Sequence, residues 1–144
     1  MKSEYGMEVK TMSIDVDWDN DDKTVIHVTF PPEWTWGEFF ELDQRTVEML
    51  DTVKHRVLFL ADVSQTTQLP TGLNLSIIRQ VIDFRHDNSD LLVIVGMNTM
   101  IRALFDIVIL ALGRIGTSIK TADTLDEGYR LVRYRLLEIE RGGG

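Results

Sequence analysis

Residues 56–62 read Arg-Val-Leu-Phe-Leu-Ala-Asp, and residues 91–96 read Leu-Leu-Val-Ile-Val-Gly. Each run is apolar at consecutive positions instead of alternate ones. Strands covered on both faces have that pattern, and they belong in the middle of a parallel sheet. Between the runs, Leu73, Ile77, Ile78, Val81 and Ile82 recur at helical spacing and predict a helix from about Gly72 to Asp87. Strand, helix and strand in this order make a right-handed crossover unit.

Upstream, Thr35-Trp36-Gly37-Glu38 is a capping box, with Trp34 placed to pack on Phe39 as a hydrophobic staple. Phe39, Leu42, Met49, Leu50 and Val53 extend the helix to about Lys54. Before it, Met12, Ile14, Val16 and Trp18 alternate with polar residues, and Ile26, Val28 and Phe30 do so again after Asp19-Asn20-Asp21-Asp22. Two alternating runs around an Asn/Asp-rich link predict a β-hairpin.

Downstream, Asn98 or Thr99 can cap a third helix that stops near Gly113. Ile115 to Ala122 is a fifth strand, and Thr124-Leu125-Asp126-Glu127 is a second capping box opening a last helix towards Glu140. The expected order is β-β-α-β-α-β-α-β-α: an α/β domain over residues 12–140 with a mostly parallel five-stranded sheet, one antiparallel N-terminal strand and four helices. Residues 1–11 read as a loose arm and residues 141–144 as a tail.

The chain has 144 residues with 44% hydrophobic and 26% charged, which suits one folded domain. It has no cysteine, which excludes disulfides, thiolate metal sites and a cysteine nucleophile. Fifteen Lys and Arg against 23 Asp and Glu give a net charge of −8, so a phosphate backbone is repelled and nucleic acid is not an expected partner. Met100 to Leu112 is greasy but spans only 13 residues, whereas a membrane-crossing helix needs about 20. The first residues lack the apolar core of a secretory signal, so the cytoplasm is the expected compartment.

In a parallel α/β sheet, ligands bind where the strand carboxyl ends open. That edge collects Trp34 and Thr35, then Asp62, Ser64, Thr66, Thr67, Thr71 and Gly72, then Met97 and Asn98, then Asp123 and Thr124. The plain alternative is that Thr35, Thr71, Asn98 and Thr124 are helix caps and that Asp62 closes a turn. The acidic run from Asp15 to Asp22 does not fit a calcium loop: starting at Asp15, the glycine position holds Asn20 and the bidentate-glutamate position holds Ile26. His27, His55 and His86 have no carboxylate at a spacing that would fix a tautomer, and there is no nucleophile elbow or phosphate-binding glycine loop. No metal or cofactor is expected.

The element order and the residues after the third strand resemble the STAS family, whose founding members are bacterial anti-anti-sigma factors. The matching residues are Asp62-Val63-Ser64, the loop Gln65 to Leu69, and Pro70-Thr71-Gly72-Leu73. The stretch from Val93-Ile94-Val95-Gly96 to Ala111 and the segment Thr121 to Glu127 are similar too. The resemblance implies a domain that binds protein partners, such as a kinase or an anti-sigma-like protein, and catalyses nothing. It also implies a phosphoacceptor just before the glycine, where this chain has Thr71. The chain departs from the family pattern in having Thr for Ser, Pro70 for a small polar residue, and a loop about one residue shorter.

The third helix is apolar at 11 of the 13 positions from Met100 to Leu112, and such a helix needs cover on more than one side. Ile101, Phe105 and Val108 are the expected surface for a homo-oligomer or for a small apolar ligand. Three readings therefore stand. The first is an interaction domain working through Asp62, Ser64, Thr66, Thr67, Gly72 and Asn98 with Thr71 as its switch. The second is a carrier or sensor of a lipid-like ligand, and the third is an enzyme using Asp62.

Overall fold

The computed structural model describes residues 14–83, 86–112 and 118–142. The elements are β1 (Asp15–Trp18), β2 (Val25–Thr29), α1 (Trp36–Leu50), β3 (Val57–Asp62), α2 (Leu75–Asp83), β4 (Ser89–Val95), α3 (Thr99–Leu112), β5 (Ile119–Ala122) and α4 (Leu125–Glu140). The expected order therefore holds. Residues 1–11, Met12, Ser13, Ile115, Gly116, Thr117 and the last two residues of the expected tail lie outside the described residues.

The sheet order is β1-β2-β3-β4-β5, with β1 antiparallel to β2 and every other pair parallel. Successive parallel strands step in one direction, so right-handed crossovers put α1, α2 and α3 on the same face. After β5 the chain crosses to the other face, where α4 packs. Two apolar cores follow from this. Ile14, Ile26, Val28, Phe30, Val57, Phe59 and Ala61 meet Leu42 and Leu50 of α1. Val25, Leu58, Leu60, Leu91, Val93, Val95 and Ala122 meet Val132 of α4. The first five residues of β3 are all buried, as a continuous apolar run requires.

Local signals explain most boundaries. Thr35 Oγ1 accepts from Glu38 N at 3.1 Å and Glu38 Oε1 accepts from Thr35 N at 2.9 Å, so the first capping box is complete. Trp34 and Phe39 lie 6.0 Å apart as the staple expects. The second box is only half formed. Thr124 caps Glu127 N, but the Glu127 carboxylate accepts from Asp123 N at 2.8 Å instead of from Thr124 N.

α2 departs most from expectation, starting at Leu75 and not near Gly72. Gly72 has φ +90, outside the helical region, and Asn74 Oδ1 accepts from Ile77 N at 3.0 Å. The cap of α2 is therefore Asn74, and the cap reading of Thr71 is overturned. The helix is described to Asp83, His86 and Asp87 already lie outside it, and β4 begins at Ser89, earlier than the apolar run implied. Asp90 can join that strand because Arg56 and Arg135 neutralise it.

Asp43 on α1 is half-buried, and burial pushes its carboxyl from 3.8 up to about 6. The folded state then holds the proton more tightly than the unfolded state. Stability therefore falls as pH rises from 3.8 to about 6 and stays lower above that window. Such a rise is worth about 3 kcal/mol for a sealed carboxyl, and water contact screens it here to about 1 kcal/mol. Asp43→Asn should stabilise the protein by that amount at neutral pH and change nothing near pH 3, as read by urea unfolding at both pH values. A neutral-pH loss of stability would contradict the account.

Candidate functional site

The loop after β3 is fastened at four points. At its start Asp62 Oδ1 accepts from Ser64 N at 2.9 Å, the turn closure that the plain reading expects. In its middle Thr66, only 2% exposed, donates to the Pro31 carbonyl at 3.0 Å and accepts from Trp34 Nε1 at 3.2 Å. At its end Trp36 Nε1 donates to the Pro70 carbonyl at 3.3 Å. Both indoles come from the start of α1, where Trp34 and Trp36 meet edge to face at 5.2 Å and Trp34 lies 5.0 Å from Phe30. Across the loop, Asn98 Nδ2 donates to the Thr67 carbonyl at 2.8 Å while Asn98 Oδ1 caps α3 through Ile101 N at 2.8 Å. Asn98, and not Thr99, is thus the α3 cap.

The fold does bring the expected edge residues together, although they do not share one role. Thr66 is removed from the partner-binding set, because its hydroxyl is spent inside the molecule, and a hydroxyl buried there must be paired. Ser64, Thr67, Thr71, Gly72 and Asn98 are exposed and Asp62 is half-buried. The Thr71 side chain makes no hydrogen bond among the described residues and sits in a turn three residues ahead of the α2 cap. Next to it Leu73 is 37% and Leu75 is 66% exposed.

The third helix needs a correction. Ile101 is buried and Phe105 and Val108 are half-buried, so they face the molecule's own sheet. The residues facing outward are Met100, Leu104, Ile107 and Leu110, with Ile107 at 64% and Leu110 at 85% exposure. The composition showed that the helix is apolar all round. It did not show which side the sheet takes.

Among the described residues, two of the hollows on the surface are open ones. One, of about 380 Å³, is lined by Arg102, Thr121, Ala122, Asp123 and Glu127, with Arg102 donating to Thr121 Oγ1 at 3.1 Å. The other, of about 350 Å³, lies along Asp43, Gln44, Val47 and Glu48 of α1. Neither encloses an apolar volume of the kind a lipid-like ligand would need.

Two of the three histidines, His86 and His27, do meet carboxylates, which local spacing could not reveal, whereas His55 Nε2 lies 2.8 Å from the Lys23 carbonyl. His86 Nε2 lies 2.8 Å from Asp51 Oδ1 while its Nδ1 accepts from Asn88 N at 3.1 Å. His27 Nδ1 lies 3.3 Å from Asp19 Oδ1, and the Tyr129 hydroxyl donates to that same oxygen at 2.5 Å. Burial and the Asp19 carboxylate push the Tyr129 phenol up to about 12, which keeps it a donor throughout the neutral range. Asp19 and Tyr129 are 110 residues apart in sequence. This group ties the hairpin to the N-terminal half of α4.

No helix among the described residues is long and apolar enough to cross a membrane. No protein-family model matches the chain, and no curated protein sequence matches it either.

Proposed function

We propose that the chain is a cytoplasmic, non-enzymatic regulatory domain of the kind the STAS resemblance implies, binding a protein partner through the β3–α2 loop and associating with itself. The observation that carries this reading is the contrast within that loop. Thr66 is tied into the fold through its hydroxyl and Thr67 and Pro70 through their carbonyls, whereas Thr71 has neither tie and keeps an exposed, unbonded hydroxyl beside exposed Leu73 and Leu75. A loop held by its backbone and by Thr66, and presenting the free hydroxyl of Thr71 next to an apolar surface, suits recognition and modification better than it suits catalysis. Phosphorylation there adds about −1.5 to −2 charge beside the apolar residues and opposes an apolar or acidic contact.

The test begins with capture of a partner from host extract on the immobilised chain. The purified partner is then titrated against the wild type and Thr71→Asp. The substitution should weaken binding at least tenfold, on the order of 1.4 kcal/mol. Its melting temperature should stay nearly unchanged, because an exposed loop position away from any cap is worth no more than about 0.5 kcal/mol. Equal affinity of the two proteins for the captured partner would remove Thr71 from the interface and end this reading.

A further inference from the structure

We infer that the outward stripe of α3 is a self-complementary seam for a second copy of this chain, packed antiparallel. This rests on the proposed self-association and deepens it by naming the surface and the packing. The stripe is Met100, Ala103, Ile107 and Leu110, all exposed and spaced three, four and three residues apart. That spacing is the a/d seam of a helix pair. Ile101, Phe105 and Val108 occupy the opposite side against the sheet, so the seam is left over once the molecule's own core is complete.

The spacing reads the same in both directions. A second copy turned antiparallel about a point near Phe105 therefore sets Met100 against the second copy's Leu110 and Ala103 against the second copy's Ile107. Small then meets large at the centre, as close packing requires. The protein carries −8, which opposes a second copy as it opposes an anionic surface, so the apolar stripe alone has to hold the pair. Among the described residues the outward stripe is uncharged, and Asp106 is an exposed charge on its flank.

Leu104 widens the apolar surface to something on the order of 500 Å². Two such surfaces bury roughly 1,000 Å², at the low end for specific interfaces, so the dimer is expected in the micromolar range. In the antiparallel arrangement Asp106 lies close to the second copy's Asp106 and repels it.

The test is sedimentation equilibrium of the full chain from about 1 to 200 µM, which spans the expected dissociation constant. The wild type should rise from 16.5 kDa towards twice that mass. Ile107→Glu should stay monomeric throughout with unchanged circular dichroism, and Asp106→Asn should tighten the dimer several-fold. Tyr134→Glu, at an exposed position on α4, should dimerise like the wild type. A monomeric wild type at every concentration, or an Ile107→Glu protein that still dimerises, overturns the inference. Flotation of a monomeric wild type on neutral phosphatidylcholine vesicles, lost in Ile107→Glu, would overturn it in favour of a lipid surface. None of these readings depends on Thr71, so failure of the seam and failure of the partner loop are separately visible.

Discussion

Gly96→Ala should cost about 3 kcal/mol of folding stability and about 10 °C of melting temperature. Gly96 follows β4 with φ +84, where an L side chain is strained by about 1 kcal/mol. A Cβ there would lie 2.6 Å from Ser64 Cβ and 2.9 Å from Ser64 Cα. Neither neighbour can yield cheaply. Ser64 N is held by Asp62, Val63 N donates to the Val95 carbonyl at 2.9 Å, and Gly96 N donates to the Ala122 carbonyl at 3.0 Å. The crossing of the β3 and β4 exits is thus fixed from both sides, and overpacking adds about 2 kcal/mol. Gly72→Ala separates the two terms. Gly72 has φ +90 with nothing within 4 Å of the added carbon, so only the conformational cost of about 1 kcal/mol applies. Urea unfolding should show that ratio with unchanged m-values; equal losses at the two sites would refute the steric part.

Much of this fold is legible in the sequence because the informative signals are local. The apolar run from Val57 to Ala61 needs only its own residues to declare a strand covered on both faces, and Thr35 with Glu38 needs only four residues to declare a helix start. Readings fail where the deciding partner is remote or the choice is between near-equals. Thr71 stands ahead of the α2 stripe and Asn74 just inside it, and the positive φ of Gly72 decides for Asn74 as the cap. On α3 two apolar faces compete for one sheet, and the winner depends on how the whole layer packs. The Asp19–Tyr129 and Asp51–His86 contacts join segments whose proximity no spacing rule contains. Thr66 shows the same limit at the candidate site. Its type suits a recognition surface, but Pro31 and Trp34, more than thirty residues earlier, claim the hydroxyl.

Asp90→Asn should cost about 2 kcal/mol at neutral pH, the second large effect, and the loss should vanish in acid. Asp90 is the one charged residue of β4, next to Ser89 at its start, and its side chain is only 10% exposed. Arg135 of α4 grips it with two bonds, Nε to Oδ1 at 2.8 Å and a terminal nitrogen to Oδ2 at 3.0 Å, while Arg56 ahead of β3 adds one at 3.1 Å. These contacts staple the start of the sheet to the last helix. The Arg135 bonds, with Arg56 behind them, hold the Asp90 carboxyl below its ordinary 3.8. The sign follows from proton binding. The unfolded chain takes up the proton first as pH falls, so this stabilisation is present in full above the unfolded value and is lost as pH falls through the folded one. Breaking a sealed pair costs about 3–5 kcal/mol; Arg135 is 23% exposed and keeps Glu138 as a second partner at 3.3 Å, which lowers the figure to about 2. Arg56 is 45% exposed, so Arg56→Ala should cost only about 0.5 kcal/mol. Double-mutant cycles should accordingly give a coupling above about 1 kcal/mol for Asp90 with Arg135 and well below that for Asp90 with Arg56. If the Asp90→Asn loss persisted undiminished near pH 2, or if Arg56 carried the larger coupling, the bidentate grip of α4 on β4 would not be what holds that end of the sheet.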